Sequence, residues 1–270
     1  RRLAHPVLGF GGLQGQGGTI HWHVAEGSEV RYASVESFQS VAVVPLLLLP
    51  VFGAIWLFDR RNGGHQPQVI GEPGTPPIGP AVATFFFMSA IAHALLAWPL
   101  RRWYEGRLAS GIQPMRWIEY ALSSSVMIVV IAALSGIQEI GTLVAIFGIN
   151  AAMNLFGWSM ESANQGRTKV QWNHYGFGVI AGIVPWIVIG IALWSASVEP
   201  GAAPIPTFVI AIFISLFVAF NIFAITMILQ YGRIGPWRDY LVGEKTYMIM
   251  SLVAKTLLAW QVFAGTLAPN

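Results

Sequence analysis

The feature that most constrains this chain is a succession of apolar stretches near 20 residues long, each bounded by charged residues or by clusters of proline and glycine. A helix rises about 1.5 Å per residue, so ~20 apolar residues match the ~30 Å hydrocarbon core of a bilayer. Seven such runs can be delimited, at 33–57, 81–103, 114–136, 140–160, 173–196, 204–230 and 244–266. They lack the period-two alternation and the ~10-residue length of outer-membrane barrel strands. The expected fold is therefore all-α, a polytopic membrane protein whose seven transmembrane helices form one bundle. Only 10% of the residues are charged, against about 25% in soluble domains, which excludes a water-soluble globule, a disordered chain and a coiled coil. The absence of cysteine excludes a disulfide framework, thiolate catalysis, iron–sulfur clusters and cysteine zinc sites.

An odd number of spans puts the two termini on opposite faces, so the basic residues can be assigned by side. One face carries Arg1, Arg2 and Arg31, then Arg101, Arg102, Arg107 and Arg116, then Arg167 and Lys169, then Arg233, Arg238 and Lys245. The other carries only Arg60 and Arg61, and its loops after the third and fifth spans contribute Glu139 and Glu199. This asymmetry predicts a cytoplasmic N-terminus and an extracellular C-terminus in a multi-pass protein of the cell membrane. It also accounts for the net charge of +3 and the pI near 9.4, so the partner expected from the charge pattern is membrane lipid and not nucleic acid.

Residues 1–32 read as a cytoplasmic N-terminal extension, Gly-rich, too polar to span and without the apolar core of a signal peptide; residues 33–267 read as the seven-helix domain. His21 and His23 flank Trp22, but an i, i+2 pair with no third ligand reads as incidental, and no metal is expected. The external loop at 58–80 holds Gly63, Gly64, Pro67, Gly71, Pro73, Gly74, Pro76, Pro77, Gly79 and Pro80, with a short hairpin expected around Val69 and Ile70. A partner or dimer contact and a plain connector both fit it.

With the charges near the helix ends set aside, the ionisable residues at depth are Lys255 in the seventh span, Glu119 in the third, His93 in the second and Glu36 in the first, with Gln39 close to Glu36. A lysine at the bilayer centre costs roughly 2.5–3.5 kcal/mol on insertion scales, so it calls for a partner and a purpose. Lys255 lies about ten residues, or ~15 Å, into its helix. Helical side chains lean toward their own N-terminus, which directs the Lys255 stem to the half of the membrane where Glu119 sits. Arg116, one turn before Glu119, is expected to anchor at the interface. Ser123 follows Glu119 by one turn, Ser251 precedes Lys255 by one turn, and Ser89 precedes His93 by one turn, so hydroxyls accompany each group.

Three readings fit this cluster: an ion pair that only fixes helix packing, a transport or proton-relay site, and a covalent Schiff base on a desolvated amine. At the level of the lysine the other spans present Met127, Asn150, Met153, Gly157, Trp186, Phe213, Phe217 and Phe220. Each alone is ordinary packing. Arranged about a lysine and a carboxylate, they can line a slot for a long conjugated ligand, with Gly157 leaving room for a ring and Met153 adapting to its shape.

Several blocks in order then carry a resemblance: Arg116-Trp117-Ile118-Glu119-Tyr120 with the Ser123-Ser124-Ser125 run, Asn150-Ala151-Ala152-Met153-Asn154-Leu155-Phe156-Gly157, Phe220-Asn221-Ile222-Phe223-Ala224, Leu229-Gln230-Tyr231, and Gly243-Glu244-Lys245 through Ser251-Leu252-Val253-Ala254-Lys255 to Trp260-Gln261-Val262-Phe263. From about Arg31 to Leu267 the chain resembles the heliorhodopsins, retinal proteins distantly related to the microbial rhodopsins. The resemblance implies a rhodopsin-like bundle with all-trans retinal covalently linked to Lys255 as a protonated Schiff base, Glu119 as counterion, Ser123 and Ser251 hydrogen-bonding nearby, and His93 in the polar cavity beside the Schiff base. It implies the same inverted orientation that the loop charges give, and a homodimer contacted through the long external loop. The family tends to place a histidine in the first helix of this cavity, where Glu36 stands here.

The function so implied is that of a light-sensing photoreceptor, not an enzyme, in which photoisomerisation drives a conformational signal to an unidentified partner on the cytoplasmic side. A proton pump needs acceptors and donors on both sides of the Schiff base, whereas the polar groups here gather on one side and the helix face beyond Ser123 is apolar through Met127 and Val130. Asn150, Asn154 and Asn221 do not carry protons as acids do. The alternatives are a light-driven or light-gated proton transporter and a non-retinal secondary transporter; the latter usually shows an internal repeat, and the seven spans have none.

Overall fold

Six of the seven expected spans fold as helices long and apolar enough to cross a bilayer: α1 (Ile78–Ala97), α3 (Pro114–Leu134), α4 (Ile140–Ala163), α5 (Asn173–Val198), α6 (Thr207–Tyr231) and α7 (Tyr240–Leu267). The computed structural model describes residues 21–24, 28–31, 78–200 and 204–267. The first span at 33–57, with Glu36 and Gln39, and the loop up to residue 77 with its expected hairpin lie outside the described residues.

Local sequence sets the helix ends. Pro114 opens α3 at its first position, where a missing N–H costs nothing. Gly136, at φ 92°, turns the chain after α3 in a conformation that L side chains rarely adopt. The Glu139 side chain caps α4, accepting from the amides of Gly141 at 2.7 Å and of Thr142. Between α6 and α7 a 3₁₀ turn, Gly235–Arg238, reverses the chain.

The second span departs from expectation. Instead of one helix over 81–103, α1 begins at Ile78, with Pro80 tolerated in its first turn, and ends at Ala97; after Trp98-Pro99-Leu100 a separate helix, α2 (Arg101–Ala109), follows. The α2 sequence RRWYEGRLA cannot enter hydrocarbon. It lies at the end of the bundle that holds most of the basic loop residues, with Tyr104 and Leu108 packed on Leu241 of α7. A second element was not anticipated: β1 (His21–Val24) pairs antiparallel with β2 (Ser28–Arg31), Trp22 opposite Val30.

Helix α3 occupies the centre: two-thirds of its span is buried, against a third or less for the other five. It packs on α1 and α4, and also meets α6 and α5. The shared core is built from Phe85 and Phe86 of α1, Ile128 and Ile131 of α3, Ile189 of α5, Ile212 and Leu216 of α6, and Leu258 of α7. The outer faces are equally apolar, as at Val144, Ile180 and Trp194, which is the pattern of helices surrounded by lipid.

Candidate functional site

Helix α7 delivers Lys255 to the middle of the bundle and α3 delivers Glu119 to meet it. Lys255 Nζ donates to Glu119 Oε1 at 3.0 Å and to Ser251 Oγ, one turn earlier on α7, at 2.6 Å. Lys255 is 4% exposed and Glu119 5%, so neither charge is compensated by water. Each holds the other in place, because removing one would leave an unpaired buried charge. The Ser89 hydroxyl of α1 donates to the same Glu119 oxygen at 2.5 Å, and His93 Nδ1 donates to the Ser89 carbonyl at 2.8 Å. Ser123 is fully buried one turn after Glu119, at the cavity wall. The sequence thus brings together Lys255, Glu119, Ser251, Ser89 and His93; the hydroxyl bonded to the carboxylate at 2.5 Å is that of Ser89.

Beside the ammonium is a cavity of about 180 Å³. Lys255, Ser251, Ser123, Met127, Met153, Gly157, Trp186, Phe217 and Phe220 all line it, as the sequence predicts. Trp186 stands edge-on to Phe213, Phe217 and Phe220 at centroid distances of 5.6, 5.3 and 5.5 Å. Phe213 supports Trp186 from behind without reaching the cavity. Met153 packs against the notch left by Gly182, where a Cβ would fall 2.5 Å from its sulfur. An apolar void of about 150 Å³ takes up benzene, so this one holds a ring with space to spare, and it continues toward the α5 surface at Val179 and Ile183, both more than a third exposed.

Two readings of individual residues are corrected. Gly157 does leave room for a ring, but the ring is that of Trp117, which fills the space a Cβ would take. Asn150 is 1% exposed and donates to Ser124 Oγ at 2.9 Å and Ser125 Oγ at 3.0 Å, with Asn154 adding a bond to Ser124 at 3.1 Å. The serine run and the two asparagines clamp α3 to α4; Asn154 lines the cavity and Asn150 stands behind it.

A third correction concerns Arg116, expected at the interface. It is 6% exposed and paired with two buried carboxyl groups, Glu161 of α4 at 2.8 Å and Glu244 of α7. Its guanidinium lies between the rings of Trp117 and Tyr247, 4.6 and 4.3 Å from their centroids. The Trp117 indole N–H donates to Glu161 Oε2 at 2.7 Å, so one side chain forms both cavity wall and charged cluster. Outside the spans, burial pushes the Tyr104 phenol of α2 well above its ordinary range, and nearby Arg116 pulls it partly back.

Trp117, Tyr120, Tyr247 and His174 are cavity residues that sequence reasoning missed. Tyr120 and Tyr247 lie one or two helical turns from Lys255 or Ser123, so helical spacing alone could have nominated them. His174 also bonds Ser159 at 2.8 Å.

The residues present fit a conjugated aldehyde: one buried amine to bind it, one acid against that amine, and an aromatic and apolar slot beside both. A membrane-crossing helical bundle built about this lysine defines a rhodopsin-like retinal protein. The family model for heliorhodopsin matches residues 33–267, and the chain belongs to the heliorhodopsin family, retinal-binding multi-pass membrane proteins and not a classical enzyme family. No curated protein matches the chain.

Proposed function

We propose that the chain is a light-sensing photoreceptor that holds all-trans retinal on Lys255 through a protonated Schiff base, with Glu119 as counterion. The observation that carries this reading is the Lys255–Glu119 pair, 3.0 Å apart and buried at the wall of an aromatic cavity. When bound, retinal supplies visible absorption and a light-driven change of shape. The chain does the rest. Glu119 balances the positive charge at the Lys255 nitrogen, and Ser251 and Ser89 orient the two groups. Trp186, Met127 and the phenylalanines confine the ligand and exclude water from the pair. A change of cavity shape presses on Trp117 and Tyr247, which hold Arg116 and, through it, the ends of α4 and α7.

Signalling without pumping is favoured by one-sidedness. Among the described residues, the faces of α3 and α7 beyond the pair are Met127, Val130 and Ile131, and Leu258, Ala259 and Val262, with no acid among them. The basic end then faces the cytoplasm, where the signal is read out, and the chain acts as a homodimer. Purified protein expressed with all-trans retinal should be coloured; Lys255→Ala should abolish the visible band and Glu119→Gln should move it to longer wavelength. A colourless parent protein refutes the chromophore, and a sustained, uncoupler-sensitive pH change in illuminated vesicles refutes the absence of pumping.

A further inference from the structure

At the basic end of the bundle one buried cation faces two buried carboxyls. Arg116 Nη2 donates to Glu161 Oε1 at 2.8 Å and Nη1 donates to Glu244 Oε1. All three residues are buried, Glu161 and Glu244 to within 2% of completely. The two acids are not equivalent. Glu161 also accepts from Tyr240 OH at 2.9 Å, from the Gln113 amide at 2.9 Å and from Trp117 Nε1 at 2.7 Å. With Arg116 that makes four donors, which is the environment of an ionised carboxylate. Glu161 therefore matches Arg116 charge for charge. Glu244 accepts from Arg116 alone among the described residues.

A second full negative charge here would have no counterpart. The titratable and charged groups that face the cluster are Tyr240 and Tyr247 on α7, Tyr120 on α3, Tyr231 on α6 and Tyr104 on α2, all neutral phenols. His174 of α5 lines the cavity beyond Trp117 and Tyr247. Lys245 and Asp239, near Glu244 in sequence, are exposed. Among the described residues no second cation forms a salt bridge with either acid. Nor is the cluster closed: Arg116 Nε and the Tyr247 hydroxyl, both buried, have no hydrogen-bond partner among the described residues. An uncompensated buried carboxylate is far costlier than a buried carboxylic acid.

We propose that Glu244 is a proton-binding site: one proton resides on its carboxyl, leaving Arg116 and Glu161 as a neutral ion pair. The site takes its proton from the end of the bundle where Lys255 also finds its polar neighbours, and it is separated from the cavity only by the rings of Trp117 and Tyr247. It needs no chromophore, because every group that defines it belongs to the chain.

The test is magic-angle-spinning NMR of the full chain in lipid bilayers, in the dark, with glutamate carboxyls ¹³C-labelled and the Glu244 resonance assigned by its loss in Glu244→Gln. At neutral pH the resonance should fall at the position of a protonated acid. In Glu161→Gln it should move to the ionised position, because Arg116 then has a single carboxyl to balance. In Lys255→Ala it should stay protonated. A Glu244 resonance at the ionised position at neutral pH in the parent protein overturns the proposal, as does one indifferent to Glu161→Gln. Should Glu161→Gln not fold, titration of the parent protein decides alone: the resonance must shift as pH rises, and one that stays ionised throughout the range in which the chain is folded overturns the site.

Discussion

Gly157→Ala should be strongly destabilising although it replaces glycine within a helix. Alanine is favoured over glycine in a helix interior by about 0.8–1 kcal/mol, and that gain is available wherever the new methyl group has space. At position 157 it does not: the added Cβ would lie 2.6 Å from both Cε3 and Cη2 of Trp117. The indole cannot easily retreat, being hydrogen-bonded to Glu161 at 2.7 Å, stacked on Arg116 and edge-on to Tyr120 and Tyr247 at 6.4 and 6.1 Å. Overpacking of this kind costs about 1–3 kcal/mol, and displacing the ring forfeits a hydrogen bond to a charged group, about 1.5–3 kcal/mol. Set against the helix gain, the net loss is about 1.5–5 kcal/mol, or about 3–20 °C in the thermal midpoint at ~2–4 °C per kcal/mol for a chain of this size. Gly148, on the same helix with nothing within 4 Å of its Cβ position, is the control; Gly148→Ala should be neutral or slightly stabilising. The assay is thermal unfolding in one detergent for both variants, repeated for Gly157→Ala in a Trp117→Leu background, where the penalty should shrink. Equal midpoints for Gly157→Ala and Gly148→Ala would show that no ring occupies the notch.

Arg116→Gln removes a cation paired with two buried carboxyls and should cost about 3–5 kcal/mol, read as a fall in yield and thermal midpoint. For Glu139, hydrogen bonds from the Thr142 side chain and from the Thr142 and Gly141 amides hold the carboxyl below its ordinary range; its capping contribution is fully present above pH ~4.3 and is lost as pH falls through the depressed value. Glu139→Ala should therefore have a flatter acid limb in a plot of thermal midpoint against pH. Tyr104, whose phenol burial pushes up, contributes stability that is intact below pH ~10 and declines above it, because the unfolded chain ionises first; Tyr104→Phe should lose that alkaline decline.

Hydropathy located α3 to α7 to within four residues at either end, because Pro114, Glu139, Asn173, Pro206 and Asp239 break the apolar runs where the helices begin. It failed at α1 and α2, where an average over 20 residues cannot register that Pro99 separates an apolar helix from an arginine-bearing one. The pair of Lys255 and Glu119 was legible for a different reason: each lies deep in a span and has a hydroxyl one turn away. Arg116 is expected at the interface because it stands near a helix end, and Glu161 and Glu244, also near helix ends, receive no role from the sequence, yet Arg116 shares the α3 face of Glu119, Ser123 and Met127, and Glu244 precedes Ser251 and Lys255 by seven and eleven residues on α7. Helical periodicity assigns both to the interior. What periodicity could not give is which ring fills the Gly157 notch, since that depends on the approach of two helices, nor the pairing of β1 with β2, which rests on two four-residue segments without a hydrophobic run.

The two buried charge clusters lie one turn apart on α3, and their order along that helix bears on what light absorption can accomplish. From the basic end inward come Arg116 with Glu161 and Glu244, then Glu119 with Lys255, then Ser123, and further along the same face Met127, Val130 and Ile131. A proton or cationic nitrogen displaced from Glu119 toward the opposite end meets no acid on these faces, whereas one displaced toward the basic end meets the Arg116 cluster through Trp117 and Tyr247. On the proposed reading, both the electrostatic and the steric consequences of a change at Lys255 would be felt at the same end, where α2, α4 and α7 converge on Leu241, Tyr240 and Glu161. Net transport requires successive acceptors on both sides of the moving charge; on the photoreceptor reading proposed above, the faces of α3 and α7 beyond the pair offer no such acceptor among the described residues, which favours return of the charge to its starting point.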